Sequence, residues 1–163
     1  MFQYRDATLS DFHRIASFPR NRDELFYMYP KGNYPLTAEQ LTAAATERKS
    51  LTVVTDSNEV VGYSNLYDVN AGVDCWIGNV IVCSESRGTG AASYLIQAML
   101  NRAAVEHQAK TVNLVCHNTN TRALLFYHKL GFTPFDLRII ESYDQGKIAG
   151  VGMRKAVEGQ VSL

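Results

Sequence analysis

The sequence predicts a single α/β (α+β) domain with the element order β-α-α-α-β-β-β-α-β-α-β-β. Three observations carry that expectation. Two hairpin patterns, around Asp56-Ser57-Asn58-Glu59 and around Asp144-Gln145-Gly146, imply antiparallel strands. Between two buried-strand patterns, residues 74–83 and 111–116, apolar side chains at Ala92, Leu95, Ile96, Met99, Leu100 and Ala103 follow helical spacing. The 163 residues, 46% of them hydrophobic and 20% charged, suit one domain with a real core.

Taken in order, residues 2–7 form the first strand. Thr8, Ser10 and Asp11 supply N-cap chemistry for a helix to about Ala16, and Pro19 interrupts. Asn21-Arg22-Asp23-Glu24 opens a second short helix ending near Pro30, followed by the breaker-rich loop Tyr29-Pro30-Lys31-Gly32-Asn33-Tyr34-Pro35. Thr37-Ala38-Glu39-Gln40 is a capping-box pattern for a helix to about Arg48. The period then changes, and 51–55 and 60–67 read as the first hairpin. Strand 74–83 ends in Val80-Ile81-Val82-Cys83, the continuous apolar run of a strand buried on both faces. After the long helix come strand 111–116, a helix over 121–130 stopped by Gly131, and the last hairpin, 133–143 with 147–155. The domain is expected over 1–156, with a frayed tail over 157–163.

Lys plus Arg equals Asp plus Glu at 16 each, which leaves no general basic field for nucleic acid. No apolar run reaches the ~18 residues that span a bilayer, so no membrane partner is expected. The opening MFQYRDATLSDF is too polar for a signal peptide. Cys75, Cys83 and Cys116 show no C-x-x-C spacing, and a cytoplasmic, reducing compartment fits them. His13, His107, His117 and His128 are scattered, and no metal is implied.

The segment SESRGTGAASYL joins the buried strand to the long helix. Gly88 and Gly90 admit two readings: a tight turn needing positive φ, or a backbone stripped of Cβ atoms so that a ligand approaches it. A helix N-terminus offers unpartnered N–H groups and partial positive charge, and Arg87 adds a full one. The ligand implied is a phosphate or pyrophosphate. Ser93 stands where a dinucleotide fingerprint needs its third glycine, and the G-K-S/T of a P-loop is absent.

Arg87-Gly88-Thr89-Gly90-Ala91-Ala92 matches the pattern Q/R-x-x-G-x-G/A, and the stretch from Asn120 to Phe132 matches N-x-x-A-x-x-L/F-Y-x-K-x-G-F. In this order, behind that strand, they resemble the two motifs of the GNAT N-acetyltransferase superfamily. The resemblance implies a mixed, mostly antiparallel central sheet of six to seven strands flanked by helices. It implies an acetyl-CoA-dependent N-acetyltransferase that acts on a primary amine of a small molecule or peptide by direct attack in a ternary complex. A non-catalytic acyl-CoA-binding module on the same fold is the alternative, and a different acyl chain is a third.

By the same resemblance, the pyrophosphate of acetyl-CoA rests on the backbone of Arg87, Gly88, Thr89, Gly90, Ala91 and Ala92. The pantetheine arm pairs with Val80, Ile81 and Val82, where strands four and five splay. Asn120 contacts the arm, caps its helix, or does both. Phe126 and Tyr127 line the cofactor site, and Tyr127 either protonates the departing thiolate or simply packs. The base is left open. The position where many relatives carry a strand-five Glu is Val115 here. His117 lies two residues on, on the same face; Asp74 is the acid of strand four; a water relay, oriented by Asn79, is the remaining option.

For the acceptor, Glu24, Tyr27 and Tyr29 combine charge with aromatic faces suited to a cationic amine. Against this, Asp23 and Glu24 also suit the first turn of a helix, and the final hairpin around residues 144–147 is the other candidate wall. Partners are thus an amine acceptor and, as an allowed assembly, a second copy in a homodimer.

Overall fold

The structure, a computed structural model, describes residues 1–157. Strand β1 (Phe2–Asp6) leads through a 3-10 turn into α1 (Phe12–Ala16), then α2 (Arg22–Met28) and α3 (Ala38–Ala45). Strands β2 (Lys49–Asp56), β3 (Glu59–Asn70) and β4 (Asp74–Val82) follow, then α4 (Ala91–His107), β5 (Thr111–His117), α5 (Thr121–Lys129), β6 (Thr133–Glu141) and β7 (Lys147–Ala156). This is the expected order. The expected tail starts at Val157, which is buried and donates its N–H to the Lys110 carbonyl at 2.8 Å; residues 158–163 lie outside the described residues.

The seven strands form one sheet in the order β1-β2-β3-β4-β5-β7-β6. Every neighbouring pair is antiparallel except β4 and β5, which the α4 crossover makes parallel. The two faces are told apart by side-chain alternation on β3. Gly62 faces Leu95 of α4, and the next residue, Tyr63, meets Phe12 of α1 edge-on at 5.8 Å. α4 therefore covers one face and α1 the other. The apolar stripe of α4 does what its spacing requires: Leu95, Ile96, Met99, Leu100 and Ala103 are all fully buried against the sheet.

Caps form where short polar side chains precede helices. Asn21 Oδ1 accepts from the Glu24 N–H at 2.9 Å, and Thr37 Oγ1 from the Gln40 N–H at 3.2 Å. The capping box expected at Thr37 is only half made. The Gln40 side chain turns away from the helix start to bond Asn33 N, Asn33 O and Pro35 O, and so ties the preceding loop to α3.

Candidate active site

β4 and β5 pair only at their beginnings, Asp74 with Thr111, Cys75 with Val112 and Trp76 with Asn113. Beyond Trp76 they part, while β5 stays paired with β7 along its whole length. A slot opens between the strand ends, and it belongs to a cleft of about 1090 Å³. On its other edge β4 remains paired with β3, with a bulge: Tyr63 faces Ile81, but Asn65 faces Gly78, and Asn79 takes φ 51°. From there on, β4 presents an unpaired main-chain edge to the slot, where an extended ligand arm has donors and acceptors to pair with. Val80, Ile81 and Val82 all line it.

The glycine turn closes one end of the slot. Gly88 and Gly90 take φ 76° and 97°, so both need glycine's conformational freedom. A Cβ at 88 would also meet no atom within 4 Å, which leaves the space before this backbone open to a ligand. The turn therefore needs its glycines, and its open face leaves room for the ligand of the second reading. Gly90 is the residue before the 17-residue α4 and gives no side-chain cap, leaving the first N–H groups of that helix without a side-chain acceptor. Arg87, Gly88, Gly90 and Ala92 line the cleft. Thr89 and Ala91 do not: the Thr89 hydroxyl folds back onto Ser86 O at 2.5 Å, and Ala91 is buried beneath the turn. Ser93, Arg122 and Ala123 line it as well, at helix positions whose facing depends on tertiary packing.

α2 straps across the cleft. Glu24 Oε1 receives Arg87 Nη1 at 2.7 Å, and Glu24 Oε2 receives the Arg20 N–H at 2.8 Å. The Arg87 hydrogen bond holds the Glu24 carboxyl below the usual carboxylate range. Asp23 accepts from the Tyr143 hydroxyl of the last hairpin. Phe26 packs on His117 with ring centres 4.6 Å apart and meets Tyr143 at 5.7 Å, and the Met28 carbonyl accepts from Asn79 Nδ2 at 3.0 Å. Glu24, expected to attract a cationic amine, and its neighbour Asp23 thus already have partners within the protein. Glu24 stands beside the glycine turn, because α2 lies over the end of β4. Glu24, Tyr27 and Tyr29 all line the cleft, with the Tyr27 hydroxyl 3.3 Å from Thr119 Oγ1.

Tyr127 points into the cleft from α5, 8% exposed, with the Phe126 and Phe132 rings 5.3 and 5.8 Å away. Burial pushes its phenol above the ordinary tyrosine value, and a neutral hydroxyl is held there at all working pH values. Its neighbour Cys116 is buried and pushed up to about 12, so it too stays protonated. Asn120 lines the cleft and caps α5, its Oδ1 3.4 Å from the Ala123 N–H; Phe126 lines the cleft next to Tyr127.

His117 ends β5 on the face covered by α2. It is 5% exposed, between the Phe26 ring and the edge of Tyr27 at 5.8 Å, and its Nδ1 has no hydrogen-bond partner among the described residues. Burial lowers its affinity for a proton, favouring neutral imidazole. Asp74 is elsewhere: it sits at the closed end of the slot, accepts from Asn113 Nδ2 at 3.2 Å and does not line the cleft. A strand rises about 3.3 Å per residue, so five residues separate it from Asn79 by roughly 16 Å, too far for it to serve as the base. Asn79 is buried, with its Oδ1 taken by Asn65 and its Nδ2 by Met28.

The sequence model of the acetyltransferase (GNAT) family matches residues 10–132. The chain belongs to that family. In fold it is similar to the spermidine N-acetyltransferase of Vibrio cholerae, solved in complex with CoA and spermine, with a TM-score of 0.78 and 19% identity over 95% of each chain. It is similar also to Ard1 from Thermoplasma volcanium, with a TM-score of 0.74 and 22% identity over 96% of this chain and 98% of that one. An N-acetyltransferase from Staphylococcus aureus Mu50 gives 0.74 and 15% over 97% and 99%. A comparison with curated protein sequences finds no match.

Proposed function

We propose that this protein transfers an acetyl group from acetyl-CoA to a primary amine. One observation carries the reading: a slot between parted strands has an open glycine turn at one end and a buried, neutral phenol in its wall. The residues fit a CoA thioester. The turn at Arg87–Ala92 and the start of α4 would hold the diphosphate, and the open edge at Val80, Ile81 and Val82, with Asn120 and Phe126, would hold the arm. Acetyl-CoA supplies the activated acetyl carbon.

The chain's residues then manage protons and position. In the net reaction a C–N bond forms, a C–S bond breaks, and one amine proton is lost while the sulfur gains one. His117, neutral and on the α2 face, accepts the amine proton directly or through water. Tyr127 serves the sulfur. A thiol loses its proton near ~8.5 and an ordinary phenol near ~10, and burial widens that gap. Full transfer from Tyr127 is therefore uphill. Its hydroxyl would donate a hydrogen bond to the sulfur as charge develops and keep its own proton, while the proton lost by the amine passes by way of His117 or water to the sulfur. Main-chain N–H groups at the β4 bulge would polarise the thioester carbonyl. The fully buried and free Cys75 and the buried, free Cys83 and Cys116 suit a cytoplasmic protein.

Incubation with acetyl-CoA and a library of primary amines tests the reading, with released CoA and the mass of the acetylated amine as readouts. A protein that binds CoA but turns over with none of them is a binding module instead.

A further inference from the structure

We infer that the acceptor amine also carries a carboxylate, and that Arg48 receives it. The inference rests on the acetyl-transfer reading and names the acceptor class for the same cleft.

Arg48 lies between α3 and β2, half-buried in the cleft wall. Its guanidinium stacks on the Tyr67 ring at 4.2 Å from the centroid, and Nη1 donates to Asn65 Oδ1 at 3.2 Å. Asn65 is fully buried and held in turn: its Nδ2 donates to the Tyr63 hydroxyl at 3.1 Å and to Asn79 Oδ1 at 2.8 Å. The guanidinium is thus fixed in place from below. Gly78 confirms how close it comes, since a Cβ there would collide with Arg48 and approach the Tyr67 ring to 2.9 Å. Gly78 adjoins the bulge at Asn79, so Arg48 sits beside the place where β4 leaves β5.

What is missing is an anion. Among the described residues no carboxylate lies within ion-pair distance of Arg48, whereas the cleft's Arg87 pairs with Glu24 at 2.7 Å and Arg138 with Asp136 at 3.2 Å. Arg122 also lines the cleft without such a pair, but it is exposed on α5. Besides the paired Glu24, the acids in the lining are Glu47 and Asp68, both exposed to solvent. A guanidinium has five N–H donors in a rigid fork, and Arg48 uses one of them within the fold. The remaining fork matches a carboxylate in two-point geometry. Arg138, already paired with Asp136, flanks the same wall: it lies over Trp76 at 4.7 Å, and Trp76 pairs across the strands with Tyr67, so Arg48 carries the unmatched charge there. A polyamine entering here would meet like charge, whereas an amino acid or a peptide with a nearby carboxylate would be oriented by it, its amine left toward the slot.

The test uses matched amines, each amino acid against its own carboxamide, with spermidine as the polycation, in turnover assays and in calorimetry on the CoA-loaded protein. The expected result is a preference of about 10- to 100-fold for the acid over its amide, the size of one charge-assisted pair. In Arg48→Gln that ratio should fall toward one, and Arg48→Lys should recover part of it. Retained CoA binding shows that each variant is folded. Equal use of acid and amide, a preference for spermidine, or an unchanged ratio in Arg48→Gln overturns the inference while acetyl transfer stands. Arg48-dependent binding of the acids without any turnover keeps the inference and removes the catalytic reading.

Discussion

The two halves of the cleft are built in different ways. The half proposed for the cofactor comes from contiguous stretches, residues 80–92 and 120–127; its half-buried arginine, Arg87, is already matched by Glu24 within the protein, and Arg122 is exposed. The opposite half is assembled from the ends of α2, α3, β3 and β6, and its half-buried arginine, Arg48, has no such match among the described residues. A site whose main chain does the binding can afford internally paired charges, because its N–H groups recognise the anion. A site that must select among amines keeps a side-chain charge in reserve.

That contrast breaks most sharply at the glycine turn. In Gly90→Val a β-branched side chain would have to take φ 97°, and its Cβ would lie 3.8 Å from the Phe2 ring, so the turn would have to give up the backbone shape that presents its N–H groups. CoA binding should fall by at least about 100-fold, roughly 2.8 kcal/mol, in a protein that remains folded. Unchanged affinity in calorimetry would falsify the assignment of the diphosphate to this turn.

Next in size is Tyr127→Phe. It deletes one hydroxyl in a packed site, so CoA affinity should stay nearly constant while kcat falls by ~10²-fold or more. Single-turnover rates are the measurement, since product release masks a chemical defect. A variant as fast as the parent means that the sulfur leaves without help from this phenol.

His117 sharpens the comparison on the acceptor side. Burial holds its imidazole below the ordinary value of ~6.5, so it accepts protons at neutral pH and kcat/KM should fall only on the acid side of that value. His117→Gln should remove this acid limb and lower the rate about 100-fold; an unaltered limb assigns it to another group. The same shift acts on stability. Below ~6.5 the unfolded chain takes up a proton that the folded imidazole resists, so this contribution is complete above ~6.5 and is lost as pH falls through the folded value. A melting-temperature profile of parent and variant measures it.

The smallest effect belongs to Glu24→Gln. With the carboxylate gone, Arg87 is free for an anionic ligand, and CoA should bind a few-fold tighter at low salt with the amine KM unchanged. The broken ion pair is partly exposed and is worth about 0.2–1 kcal/mol of stability. A raised amine KM with constant CoA affinity would instead return Glu24 to the acceptor site.

The sequence by itself determined the element order and singled out the residues proposed for the cofactor half, because both rest on local chemistry. Hairpin turns, a 3.6-residue apolar stripe and two glycines before a helix each act over a few residues. Tyr127 stood out through the resemblance of the stretch from Asn120 to Phe132 to the family's second motif, which lies within one local segment. Only the tertiary structure decided the acceptor half. Glu24 and Arg87 are 63 positions apart, and nothing local to Glu24 announces that its charge is spent. Asp74 had the right chemistry and the wrong end of β4, which only the pairing with β5 reveals. Arg48 carried no motif at all. Its standing comes from what surrounds it in space, a tyrosine face, a buried asparagine and no described carboxylate, and charge balance over such distances is fixed by packing.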